Sequence, residues 1–146
     1  MIRAFAKRDI ADVIHLGQEL AKHVSDPVPD LTAEGLETLA FGERAVFQAL
    51  VAESAGQVVG FVAFSERFEL HTNSRILHIS DLMISDQARH AGLGAGLITA
   101  VRRIASDRKC HEIRFEVWRE NSQAQGFYAK LGARRTDDVD LWTMSV

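Results

Sequence analysis

The sequence predicts a single-domain α/β (α+β) protein in which one mixed sheet carries packed helices, and three observations lead there. Several short runs alternate apolar and polar residues, longer segments repeat apolar residues at helical spacing, and the two kinds interleave without repeats, linkers or low-complexity stretches. A chain of 146 residues buries a sizeable core without metals or disulfides, so one domain is expected over 1–146.

Ile2 to Ala6 reads as a short strand, and Asp9 as the N-cap of a helix carrying Ile10, Val13, Ile14, Leu16 and Leu20 on its apolar side. Ser25 to Asp30 holds both prolines and ends that helix, and Leu31 to Leu39 fits a shorter one. Val46 to Ala52 and Gln57 to Arg67 read as an antiparallel hairpin turning at Glu53-Ser54-Ala55-Gly56, followed by a strand from Arg75 to Ile84. The next helix spaces Leu93, Leu97, Ile98, Val101, Ile104 and Ala105 on one side, leaving Arg102, Arg103 and Asp107 to water. His111 to Trp118 alternates Ile113, Phe115 and Val117 with Glu112, Arg114 and Glu116, the period of a half-buried strand. Asn121 then caps a last helix through Lys130 with Gly132 as its stop, and Leu141 to Val146 closes as a final strand.

Composition narrows the functional classes. Hydrophobic residues at 47% and charged residues at 25% are ordinary for a soluble globular protein. No apolar run is long enough to span a bilayer, and the first residues lack the apolar core of a signal peptide, so a cytoplasmic protein without a membrane is expected. A net charge of -3 argues against non-specific nucleic-acid binding. Cys110 is the only cysteine, which leaves no internal disulfide and no cysteine-based metal site.

The stretch Arg89-His90-Ala91-Gly92-Leu93-Gly94-Ala95-Gly96 joins a strand to a helix. The opening N–H groups of a helix lack internal partners, and the helix dipole favours negative charge there, so a phosphate is a natural occupant. Glycine at 92 and 94 lets a ligand's oxygens approach the backbone, and Arg89 could add a charge-assisted contact. A flexible turn is the plain alternative. Two other phosphate motifs fail: Leu97 stands where a dinucleotide fingerprint needs its third glycine, and Gly96 is followed by Leu97-Ile98 instead of the Lys-Ser or Lys-Thr of a P-loop.

Asp81-Leu82-Met83-Ile84, then Arg89-x-x-Gly92-x-Gly94, then Asn121 and Phe127-Tyr128-Ala129-Lys130-Leu131-Gly132-Ala133 resemble the GNAT superfamily of acyl-CoA N-acyltransferases. The match is strongest from Leu77 to Ala133, and looks closest to the small-molecule diamine and polyamine N-acetyltransferases. The resemblance implies a central, mostly antiparallel sheet with helices on both faces, splayed where acetyl-CoA binds between the strands ending at Ile84 and Trp118. It places pantetheine on backbone groups of Leu82 and Ile84, and the pyrophosphate on N–H groups of Arg89, His90, Ala91, Gly92, Leu93, Gly94 and Ala95. An N–H near Leu82 or Met83 would polarise the thioester carbonyl.

The resemblance makes Tyr128 the general acid for the leaving thiolate and Asn121 a cofactor contact. Residue spacing agrees: Asn121 lies seven residues before Tyr128, about two helical turns, while Phe127 and Leu131 form an apolar pair. An attacking amine must shed a proton, and several relatives carry an acid where Ser80, a poor base, stands here. Asp81, Glu116, His78 and a water relay are the candidates. Asp26, Asp30, Glu34 and Glu69 could form an acidic wall for a cationic amine or simply be solvated. The expected function is direct transfer of acetyl from acetyl-CoA to a small primary amine, in a ternary complex, without a metal. A non-catalytic acyl-CoA-binding module and other amine acceptors remain open, and the resemblance alone suggests a homodimer.

Overall fold

Strands β1 (Ile2–Ala4), β2 (Gln48–Ser54), β3 (Gln57–Glu69), β4 (Ser74–Ile84) and β5 (Glu112–Arg114) lie in that spatial order in one open sheet. The computed structural model describes residues 1–146. The first four strands pair antiparallel and β5 adds to β4 in parallel, which makes the sheet mixed and the fold class α+β, as the sequence predicts. Helices α1 (Ile10–His23), α2 (Ala33–Phe41), α3 (Leu93–Asp107) and α4 (Ser122–Lys130) complete the elements. Two compact units divide the chain, Met1–Phe115 and Glu116–Val146.

In the first unit the sheet is covered on both faces. Ile10, Val13 and Leu16 of α1 and Leu36 of α2 form one buried cluster with Ala49, Val51, Phe61, Ala63 and Met83. On the other face α3 buries Leu97, Ile98, Val101 and Ala105, the side its apolar period predicts, with Arg102, Arg103 and Asp107 exposed. Ala55 and Gly56 both take positive φ, 50° and 78°, in the two-residue turn from β2 to β3, the handedness that fits twisted hairpin strands.

The β3–β4 ladder contains a bulge. Ala63 pairs with Asp81 and Phe64 with Ile79, so Ser80 is the extra residue, and its hydroxyl donates to the Ala63 carbonyl at 3.4 Å. A bulge shifts the alternation by one. His78 therefore shares the α1 side of the sheet with Asp81 and Met83, while Ile79 shares the α3 side with Leu82 and Ile84.

Four expectations need correction. Asp9 does not cap α1. Its buried carboxylate turns back to accept from the Ala6 N–H at 2.9 Å, closing a single 3-10 turn at Lys7–Asp9, and accepts two hydrogen bonds from the Arg3 guanidinium at 2.7 and 2.9 Å. Arg3 also donates to Glu53 at 2.9 Å, a stronger claim on the carboxylate than a helix end makes. The second helix starts two residues late, at Ala33, because the Thr32 side chain accepts from the Gly35 N–H and caps it there. β5 pairs only over Glu112–Arg114, although Ile113, Phe115 and Val117 stay half-buried between exposed neighbours. Leu141 to Val146 forms no strand, and Leu141, Trp142, Met144 and Val146 are exposed. Alternation prepares a segment for a sheet, but a strand exists only where a neighbour supplies its ladder.

In the second unit, Asn121 caps α4 by accepting from the Ala124 N–H at 3.0 Å. The helix stops at Gly132, φ 83°, with Ala133 N–H donating to the Tyr128 carbonyl and Gly132 N–H to that of Ala129, each at 3.0 Å, a Schellman closure.

The Arg3–Asp9 pair makes a stability prediction. Arg3 holds the Asp9 carboxyl below its usual 3.8, so the pair's contribution is complete above that value and is lost as pH falls through the lowered one. Asp9→Asn is expected to cost about 2 kcal/mol in urea denaturation, by a gap that stays constant from about pH 8 to 5 and narrows only in stronger acid. A gap that widens on acidification would contradict this assignment.

Candidate active site

β4 changes character along its length. It pairs with β5 at Ile76, Leu77 and His78 and then runs from Ile79 to Ile84 with β3 as its only strand neighbour, leaving one edge open. Ladder parity decides what that edge presents. Ser85 N–H donates to the Val59 carbonyl at 2.8 Å, so residues at even steps from it, Met83 included, direct their backbone groups at β3. Leu82 and Ile84 direct theirs at the open edge, the two residues to which the family resemblance assigns pantetheine. Met83 N–H points away from that edge and Leu82 N–H points towards it. Gly60 permits this geometry, since a Cβ there would lie 2.7 Å from the Met83 carbonyl oxygen and would collide with the Ile84 side chain.

A 3-10 turn at Asp86–Ala88 leads from the strand into the glycine loop. The Arg89 side chain folds back, with Nη2 2.8 Å from the Asp86 carboxylate and Nε donating to the Ile84 carbonyl at 3.5 Å; its N–H donates to the Asp86 carbonyl at 3.4 Å. His90 and Gly92 take positive φ, 68° and 76°, and His90, Ala91 and Gly92 are exposed. The first intrahelical bond of α3 runs from Gly96 N–H to the Gly92 carbonyl at 2.9 Å, so the N–H groups of Leu93, Gly94 and Ala95 have no acceptor in the helix. No side chain caps this end and no carboxylate stands in its first turn. An anion there would meet unpaired donors and the positive end of a dipole.

Asp81 and Ser80 are both exposed beside the bulge, and the Ser80 hydroxyl is engaged with the bulge itself. His78 is buried. Beside the loop, Asp12, His15, Leu16 and Glu19 of α1 line a groove of about 240 Å³ with Gln57, Val58, Val59, Ser85 and Gln87. Of the two readings of Asp26, Asp30, Glu34 and Glu69, the acidic wall does not gather there. Glu69 is paired with Arg114, whose guanidinium holds its carboxyl below the usual range, Glu34 lines a separate cavity with Lys7 and Glu37, and Asp26 and Asp30 are exposed.

In the second unit, Glu116 is exposed and Asn121 spends its side-chain oxygen on the α4 cap. Tyr128 is half-buried with its ring edge-on to Phe127, centroids 5.0 Å apart, and burial pushes its phenol up to about 12. The phenol is thus protonated throughout the neutral range.

Residues 16–133 match the model of the Acetyltransferase (GNAT) family. The chain belongs to the GNAT family of acetyltransferases. It is 28% identical over 152 residues to the thialysine N-epsilon-acetyltransferase of Bos taurus, covering 97% of this chain and 88% of that protein. Identity to the spermidine/spermine N(1)-acetyltransferase-like protein 1 of Homo sapiens is 25%, over 97% of this chain and 21% of that longer protein. A possible acetyltransferase from Clostridium difficile 630 has the same fold, with a TM-score of 0.87 at 21% identity over 100% of this chain and 97% of that one. The chain is therefore an acetyltransferase of a family that uses acetyl-CoA as donor.

The sequence reading missed Gly60 and the Asp86 partner of Arg89. A glycine inside an apolar strand pattern is a signal of close backbone approach, and it was available in the sequence. Nothing in the sequence marks Asp86 as the group that turns Arg89 inward.

Gly92 separates backbone strain from ligand contact. A Cβ there meets no protein atom within 4 Å, so Gly92→Ala is expected to cost only the left-handed backbone term, about 1 kcal/mol. Its CoA affinity, read by calorimetry, should fall about tenfold, the value of a hydrogen bond to a charged group. Unaltered affinity would take Gly92 out of the cradle.

Proposed function

We propose that the chain transfers the acetyl group of acetyl-CoA to a primary amine of a small molecule by direct attack in a ternary complex. The observation that carries this reading is the junction of the open β4 edge with the uncapped start of α3. Backbone groups at Leu82 and Ile84 match the amides of a pantetheine arm, and the N–H groups of Leu93, Gly94 and Ala95 match a diphosphate. The names of the thialysine and spermidine/spermine relatives support an amine-bearing small molecule as acceptor. The reading takes the chain as a single cytoplasmic catalytic domain over 1–146 that works without a metal, and the family resemblance adds a homodimer.

In this mechanism the neutral amine attacks the thioester carbonyl, whose developing oxyanion takes the Leu82 N–H, and the carbon–sulfur bond breaks. Asp81, exposed beside the bulge, receives the amine proton directly or through water, with Glu116 the second candidate. The family resemblance assigns Tyr128 to the departing sulfur and Asn121 to the donor. A phenol at about 12 lies some 3.5 units above an ordinary thiol, so complete proton transfer to the thiolate is uphill by roughly 5 kcal/mol. Tyr128 therefore acts first as a hydrogen-bond donor to the sulfur as its charge develops.

CoA and acetyl-CoA are expected to raise the melting temperature and NAD to leave it unchanged, and a panel of diamines should release thiol from acetyl-CoA. A protein that CoA does not stabilise would defeat the donor reading; stabilisation without thiol release from any amine would defeat the acceptor reading. Tyr128→Phe is expected to lower kcat about a hundredfold while changing CoA affinity little. Because the folded phenol keeps its proton up to about 12, no loss of rate between about pH 6 and 10 should depend on Tyr128. Wild-type turnover in the Phe variant would remove Tyr128 from the mechanism.

A further inference from the structure

Arg89 is the one permanent cation between Ser85 and Gly96, and its guanidinium is already engaged within the loop. The two sides of its pair with Asp86 differ: the arginine side chain is 26% exposed and the carboxylate 82%. Water can replace an exposed carboxylate at little cost, and a solvated pair three residues apart is weak. The second hold, from Nε to the Ile84 carbonyl, is long at 3.5 Å. A diphosphate offers guanidinium more charge and paired acceptor oxygens, so neither hold can keep Arg89 from it.

We propose that Asp86 is a positioning residue that holds Arg89 in reserve and thereby sets affinity for the acyl donor. With the loop empty, the carboxylate keeps the guanidinium against the end of β4. When the donor's diphosphate reaches the start of α3, Arg89 leaves Asp86 for it, and the Ile84 carbonyl is released to the pantetheine arm. This rests on the reading of the loop as the donor's diphosphate cradle. The Asp86 charge opposes binding twice, by neutralising Arg89 and by repelling phosphate oxygens. Asp86 also pre-orients Arg89, which favours binding, but that contribution is the smaller one because a solvent-exposed pair three residues apart fixes the guanidinium only weakly.

Asp86→Asn removes the charge and keeps an acceptor of the same shape. CoA dissociation constants from calorimetry, and KM for acetyl-CoA and for acetyl-pantetheine, which has no phosphates, test the proposal at low and high salt. In the Asn variant, CoA dissociation constant and acetyl-CoA KM are expected to fall about two- to fivefold at low salt. The gain should shrink as salt rises, be absent with acetyl-pantetheine, and disappear in Asp86→Glu, which restores the charge. Unchanged or weaker CoA binding by the Asn variant would overturn the proposal, as would an equal gain with acetyl-pantetheine, which reports a general change of the loop. Failure of the wild-type protein to bind CoA at all would instead defeat the cradle reading beneath it.

Discussion

A strand hydrogen-bonded on both edges has nothing left to offer a ligand, and a strand bonded on neither does not persist. β4 meets the two demands in sequence, because its partner β5 gives out after His78 while β3 continues to its end. The rest of the site inherits its geometry from that asymmetry. Backbone groups at Leu82 and Ile84 are fixed in place by β3 through their neighbours, yet they point where no strand follows. The bulge at Ser80 adds a second consequence, since a ladder running regularly through that residue would set Asp81 on the α3 side of the sheet with Ile79.

The glycine loop converts this edge into a two-part surface. One part is a row of strand amides and carbonyls suited to a neutral, extended chain. The other is the start of α3, where three helix N–H groups and a left-handed Gly92 suit an anion. Close packing at Gly60 holds the end of β4 against β3, because only a residue without Cβ lets β3 approach the Met83 carbonyl so nearly. A cation and its counter-ion sit at the seam, in Arg89 and Asp86.

Periodicity made most of the fold legible. The apolar stripes of α1 and α3 and the alternation of β2, β3 and β4 name the residues that are buried, since side-chain period and secondary structure are the same fact. Partnership was not legible. Asp9 looked like a helix cap because capping is a local rule, and only the folded chain brings Arg3 and Glu53 around it. Leu141 to Val146 has the pattern of a strand, but pattern cannot supply a neighbour. The glycine spacing was readable because it reflects a backbone constraint, and so was the Asn121 cap of α4, because capping is local. The direction of the Arg89 side chain and the pairing of Glu69 with Arg114 depend on contacts across the fold that no local window contains.

The Schellman closure of α4 ties two residues that look unrelated in the sequence. The carbonyl that accepts the Ala133 N–H belongs to Tyr128, and the turn that delivers this N–H exists only because Gly132 takes a left-handed conformation. The helix end therefore cannot fray without loosening the backbone beneath the phenol. A substitution at Gly132 that a stability survey alone would flag therefore also bears on the backbone from which the Tyr128 side chain projects.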